Sequence, residues 1–281
     1  MGQVASHRAI LAASLLLAGC AHHQAEPLHG TYVSLGSSFA AGTALGGLQP
    51  GTPERCGRSP VNYASLLAAR LQLSLVDVAC GGATSSHVLG PWNELAAQIE
   101  AVTADTRLVT ITIGGNDLGY VLNLAAASCD PAKGITFGGQ QRPCPTMRLP
   151  GEADYARTEA ALRDIARAVK LRAPAARLVF VQYVQLVPGK ACPALAMPAN
   201  TAATVRTIGL RLAQITRRAA RAEGAAWLAA DQLSARHTPC DDQPWSTGPK
   251  PNGPSGNAPW HPNMAGHAAL ADALARNLLR D

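Results

Sequence analysis

No apolar run in the 281 residues is long enough to cross a membrane: the longest, residues 9–20, falls short of the ~20 that a spanning helix needs. A multi-pass membrane protein is excluded, and the folded part is expected to be soluble. Aromatic side chains make up only 4% of the chain and no basic patch interleaves with them, so the footprint of nucleic-acid binding is missing. Also missing are a Cys-x-x-Cys pair and histidines at ligand spacing among the cysteines, which argues against zinc; no metal or organic cofactor is implied. No repeat with a period of roughly 20–50 residues is present. The 26 glycines and 20 prolines stay well below the roughly 25–30% that marks fibrous or low-complexity chains. What remains, with 47% apolar and 15% charged residues, is a globular chain able to bury one large core or two small ones.

The apolar stretch reads as an export signal, with Arg8 in front, Ile10 to Leu17 as its greasy centre and small residues before Cys20. Leu17-Ala18-Gly19-Cys20 resembles the lipobox of bacterial lipoproteins. That implies a signal over 1–19, acylation of Cys20, a tether over 20–30 and a folded domain over 31–281. Several acyl chains make a stable anchor on a membrane surface. Ala21 is not the aspartate that favours inner-membrane retention, so the outer membrane or cell surface is expected. His22 and His23 read as solvated tether residues. The net charge of +6 comes mostly from arginines that, apart from the Arg217-Arg218 pair, are scattered singly along helical stretches, which reads as solvated helix faces. With Cys20 given to lipid, Cys56, Cys80, Cys129, Cys144, Cys192 and Cys240 make an even set, as in exported disulfide-bonded proteins. Six cysteines allow about 15 connectivities.

Beyond the tether, short β-branched runs alternate with helical patterns. Strands are predicted over 31–35, 73–79, 108–113, 178–184 and 225–229, and helices over 61–71, 92–102, 154–172, 202–223 and 263–279. Tyr155, Leu162, Ile165 and Val169 share one helix face; Val205, Ile208, Leu212 and Ile215 share another. The alternation predicts an α/β fold, a three-layer α/β/α sandwich around a five-stranded parallel sheet, with functional loops at the carboxyl ends of its strands. Residues 123–151, 186–198 and 234–259 lack periodicity and each carry cysteine, so they are expected to be stapled loops that frame a site.

Chemistry-bearing groups fall at the strand ends. The first strand runs into Gly36-Ser37-Ser38-Phe39, which presents a serine hydroxyl where a nucleophile could stand. After the second comes Ala79-Cys80-Gly81-Gly82-Ala83-Thr84, whose glycines let the backbone approach a bound group and aim an N–H at it. The third ends in Gly114-Gly115-Asn116-Asp117, which adds an amide donor. Near the carboxyl end, Trp260-His261-Pro262-Asn263 brings a histidine into the last helix, available as a general base.

With these four blocks in this order, the chain resembles the SGNH hydrolases, also called GDSL esterases and lipases, from Tyr32 through His267. The resemblance implies a flavodoxin-like sheet, Ser38 as nucleophile, His261 as base, and an oxyanion hole made of the Ser38 and Gly82 N–H groups and the Asn116 side chain. YVSLGSSFAAG, ACGGAT and IGGNDLGY are most similar to a secreted subgroup with three sequential disulfides. That similarity implies Cys56–Cys80, Cys129–Cys144 and Cys192–Cys240.

Two positions depart from the family pattern. Ser37 stands where an aspartate usually precedes the nucleophile, and Ala258 stands where an aspartate usually lies three residues before the histidine. A Ser38–His261 dyad is therefore expected, with the Ala258 main-chain carbonyl orienting the imidazole; Asp241, Asp242 and Asp272 read as surface acids. His267 reads as structural, Trp92, Trp245 and Trp260 as packing, and His87 as a candidate substrate contact. The expected activity is hydrolysis of acyl esters, phospholipids included, by a monomer. The alternatives are a carbohydrate O-acetyl esterase and a silent envelope lipoprotein that binds lipid or glycan. A conventional α/β-hydrolase needs Gly-x-Ser-x-Gly, and Ala40 occupies the last glycine position.

Overall fold

A computed structural model describes residues 1–2, 30–137, 140–250 and 258–279. Cys20 and the rest of the export segment and tether, apart from the ends of 1–30, lie outside them. The strands are β1 (Thr31–Gly36), β2 (Ser74–Asp77), β3 (Thr106–Thr112), β4 (Ile135–Phe137), β5 (Gln140–Arg142), β6 (Arg177–Val181) and β7 (Ala226–Leu228). The helices are α1 (Ser38–Ala41), α2 (Tyr63–Leu71), α3 (Ser85–Leu89), α4 (Tyr120–Ala127), α5 (Glu152–Arg172), α6 (Ala199–Ala222), α7 (Ala230–Leu233) and α8 (Met264–Leu278).

Five strands form one sheet in the order β2-β1-β3-β6-β7, every neighbouring pair parallel. Consecutive residues of β1 and β3 are buried, so both faces of the sheet are covered, as a parallel sheet requires. Helix α2 packs on α8, and α5 packs on α6. Asparagines start two of these helices: the Asn62 side chain accepts from Ser65 N–H and that of Asn263 from Gly266 N–H, each at 2.9 Å.

Between α5 and α6 runs a ladder of ion pairs. Arg211 meets Glu152 at 2.6 Å, Arg218 meets Glu159 at 2.5 Å, and Arg163 and Arg167 converge on Glu223 at 2.8 and 2.7 Å. Partner numbers rise together along both helices, so the two run parallel. These pairs are solvent-exposed on at least one side and add little stability each.

The five expected strands are present within a few residues, but 92–102 is not a helix. Trp92 and Leu95 close a turn through mutual backbone bonds of 2.9 and 3.0 Å, and only Gln98–Ala101 makes a short 3-10 turn. The apolar spacing suits a helix, but Asn93 sits in the left-handed region at φ 54° and Ala97 is extended, with ψ at 132°, so the path is broken twice. Residues 123–151, expected to be irregular, contain the end of α4 and the antiparallel pair β4–β5.

The disulfides are Cys56–Cys80, Cys129–Cys144 and Cys192–Cys240, a framework that persists in oxidising compartments outside the cytosol. Cys192–Cys240 joins residues 48 apart and ties the loop after β6 to the one after α7. Replacing both by alanine is expected to lower unfolding free energy by about 2–4 kcal/mol, read from denaturant titration under oxidising conditions.

Candidate active site

Ser37 caps α1 where β1 ends, and Ser38 follows as its first residue. His261 lies three residues before α8. The two meet: Ser38 Oγ is 2.8 Å from His261 Nε2. On the other side of the ring, Nδ1 is 2.7 Å from the Pro259 carbonyl oxygen. A carbonyl can only accept, so Nδ1 carries the proton, Nε2 holds a lone pair, and the Ser38 hydroxyl donates to it.

The orienting carbonyl is that of Pro259, not the expected Ala258. Trp260 adopts a left-handed conformation at φ 59°, and this bend folds the imidazole back onto the carbonyl two residues upstream. The Ala258 carbonyl instead accepts from Thr247 Oγ1 at 2.8 Å. Among the described residues no acid substitutes: Asp241 accepts from Thr238 N–H and Oγ–H, both at 2.7 Å, Asp272 pairs with Arg70, and Asp242 is exposed.

Two neighbouring turns bring further donors to this edge. Gly82 follows β2 with φ at 81°, a conformation that favours glycine. The Cys56–Cys80 bridge and a 2.9 Å bond from Gly81 N–H to the Cys56 carbonyl hold that turn. Asn116, after β3, donates one amide proton to the Ala83 carbonyl at 2.8 Å, which fixes the side chain and leaves its second N–H for a ligand. Asp117 accepts from Ser85 N–H at 3.1 Å and also from its hydroxyl, a second tie between the two turns. The Ser38 N–H belongs to the first turn of α1 and so has no acceptor inside the helix.

Residues 34–269 match the profile of the GDSL-like Lipase/Acylhydrolase family. The chain belongs to that family. It is 34% identical over 219 residues to Lipase 2 of Streptomyces coelicolor, covering 75% of this chain and 72% of that one. It is 28% identical over 217 residues to a lipase of Streptomyces rimosus, with 76% and 75% covered. Among solved structures it resembles phospholipase A1 from Streptomyces albidoflavus, at TM-score 0.68 and 25% identity over 89% of this chain and 98% of that one. The extracellular lipase of Streptomyces rimosus superposes with TM-score 0.68 at 26% identity, covering 89% and 99%. Like the rest of this lipase and acylhydrolase family, the chain is an ester hydrolase.

Other residues singled out in the sequence take different places in this GDSL hydrolase. His87 stacks on Trp92 with ring centres 4.1 Å apart, and Arg55 covers the opposite face of the indole at 4.1 Å. Trp92 in turn stands against Gly82. Trp260 is fully buried and its indole N–H donates to Ser128 Oγ at 3.1 Å. Trp245 stacks on His237 with centres 4.2 Å apart. Gln98 and Tyr183, which carry no motif in the sequence, also reach the site's frame. Gln98 clasps both the N–H and the carbonyl of Gly36, at 2.7 and 2.9 Å, just before the turn that carries Ser38.

A cavity of about 300 Å³ borders the Gly82 loop, lined among others by Pro53, Val78, Cys80, Trp92 and Leu95. Another, of about 230 Å³, includes Arg177 and Ala226 at the amino ends of β6 and β7, the edge away from Ser38.

Burial pulls the His261 pKa below its ordinary 6.5, and the bond to the Pro259 carbonyl opposes this in part. The imidazole is accordingly a neutral base at neutral pH. His267 is wholly buried; its Nδ1 accepts from Tyr63 N–H at 3.0 Å, and burial pushes its pKa down to about 3. Protons therefore bind His267 better in the unfolded chain, and its contribution to stability is complete above 6.5 and lost as pH falls towards 3. Denaturant titration at pH 7 and pH 4 should show the wild type losing about 3 kcal/mol more than His267→Asn on that acid shift.

Proposed function

We propose that this family member hydrolyses acyl esters through a Ser38–His261 dyad. The observation that carries the reading is the 2.8 Å contact of Ser38 Oγ with His261 Nε2 on a ring whose other nitrogen is held by a carbonyl. In the first half-reaction His261 Nε2 takes the hydroxyl proton as Ser38 Oγ bonds to the ester carbonyl carbon. The resulting oxyanion accepts from the Ser38 and Gly82 N–H groups and the free Asn116 amide proton. Collapse breaks the carbon–oxygen bond to the alcohol, which leaves with the proton from His261. Water, deprotonated by the same nitrogen, then attacks the acyl-enzyme; collapse breaks the acyl–Oγ bond, releases the carboxylic acid and returns the proton from His261 to Ser38 Oγ.

In this mechanism the imidazolium is stabilised by the Pro259 carbonyl dipole, without a carboxylate charge. Acyl esters, phospholipids among them, are the proposed substrates, in keeping with relatives named lipase and phospholipase A1. The cavity beside Cys80 and Trp92, mostly apolar though Arg58, His87, Gln98 and Glu100 also line it, suits an acyl chain. The lipobox-like segment supports delivery to the cell envelope on a lipid anchor at Cys20.

Hydrolysis of p-nitrophenyl esters from acetyl to palmitoyl by the disulfide-bonded protein tests the proposal. Ser38→Ala should abolish turnover, and Asn116→Ala should lower kcat about 10²–10³-fold while the protein stays folded. Persistent turnover in Ser38→Ala would overturn the dyad; a sharp acetyl optimum would favour deacetylation over lipolysis. The kcat/KM profile should rise with pH to a plateau, with its midpoint below 6.5, because the base must be unprotonated.

A further inference from the structure

We infer that Tyr183 is a positioning residue for catalysis, holding the nucleophile turn and the Asn116 turn at a fixed separation through a neutral hydrogen-bond chain. The inference rests on the dyad reading. Tyr183 lies two residues beyond β6, at the same edge of the sheet as the site, and is 5% exposed. Its hydroxyl accepts from Gly115 N–H at 3.0 Å and lies 3.0 Å from Ser37 Oγ. Ser37 Oγ in turn reaches the Thr112 carbonyl at 3.4 Å.

The donors and acceptors allow one consistent direction. The Thr112 carbonyl can only accept, so the Ser37 proton goes there, and the Tyr183 proton goes to Ser37. Gly115 N–H feeds the Tyr183 oxygen. The chain therefore runs from Gly115 N–H to Tyr183 O–H to Ser37 O–H to Thr112 O, with every member satisfied although all are buried. Gly115, at one end, is the residue before Asn116, and Ser37, the member that Tyr183 donates to, is the residue before Ser38.

Packing locks the same arrangement. A Cβ at Gly115 would lie 2.6 Å from the Tyr183 ring and hydroxyl, so the turn closes on the phenol only because residue 115 is glycine. Phe39 packs tilted against the ring with centres 4.4 Å apart, and its centre lies 4.8 Å from that of the His261 ring, so the same aromatic group backs the base. Burial raises the phenol pKa far above its ordinary value. The hydroxyl keeps its proton across the working range and adds no titrating charge beside the dyad.

The experiment compares the disulfide-bonded wild type with Tyr183→Phe, Ser37→Ala and the double variant on a p-nitrophenyl ester, with Ser38→Ala as the reference for the dyad. Tyr183→Phe keeps the ring packing and deletes the central link. It should lower kcat roughly 10–100-fold with KM within about twofold, since displaced catalytic groups cost rate more than binding. Ser37→Ala should lower kcat in the same sense, and the double variant should lose no more than the worse single one, the signature of a shared chain. The pH midpoint should stay that of the wild type in all three variants. If Tyr183→Phe does not fold, Ser37→Ala decides alone: an unchanged kcat overturns the inference. Wild-type kcat in folded Tyr183→Phe, or additive losses in the double variant, would overturn it while an inactive Ser38→Ala leaves the dyad standing. Turnover in Ser38→Ala would instead remove the dyad reading itself.

Discussion

Three parallel strands lying side by side, β2, β1 and β3, decide where chemistry can occur in this chain. Parallel strands end at one edge together, so the turns carrying Gly82, Ser38 and Asn116 emerge next to one another without long loops to position them. Everything else at the site is a brace on that edge. Gln98 clasps the last residue of β1, Asn116 and Asp117 stitch the turn after β3 to the one after β2, and a disulfide pins the turn after β2 from outside. His261 alone comes from far along the chain. It is brought in by α8, whose packing on α2 sets it beside the first crossover.

The second constraint is that, among the described residues, a main-chain carbonyl and no carboxylate meets His261 Nδ1. A buried acid on Nδ1 would favour the charged imidazolium strongly, but its own desolvation would need compensation from further hydrogen bonds. The Pro259 carbonyl avoids that cost. It fixes the tautomer by geometry alone, and the pKa of His261 is left to burial, which keeps the ring neutral and ready to accept a proton. Position 37 follows the same logic, since a serine there joins a chain of uncharged groups. The centre is thus built almost wholly from dipoles, and Asp117, the acid beside Asn116 in the chain, is occupied in holding Ser85.

Much of this was legible in the sequence. β-branched runs located the sheet because burial on both faces demands continuous apolar strands, and the blocks at the strand ends pointed to Ser38, Gly82, Asn116 and His261. What stayed hidden depends on backbone path. The spacing across 92–102 matches a helix, but the left-handed turn at Asn93 and the extended backbone at Ala97 undo it. The choice between the carbonyls of Ala258 and Pro259 turns on the conformation of Trp260, which no local pattern announces. Gln98 and Tyr183 act through contacts 62 and 146 residues away along the chain, and a single side chain reaching that far leaves no periodic trace.

The ladder between α5 and α6 acts as a gauge of length. Its rungs at Glu152 and Glu159 face Arg211 and Arg218, so both helices repeat the contact after seven residues, close to two full turns. One residue inserted into either helix would swing every later rung by about 100° around the axis, so that carboxylate and guanidinium part company together. Helix length in this half of the molecule is consequently fixed in whole-turn steps. Variation in chain length is left to the connecting segments, which carry no such register.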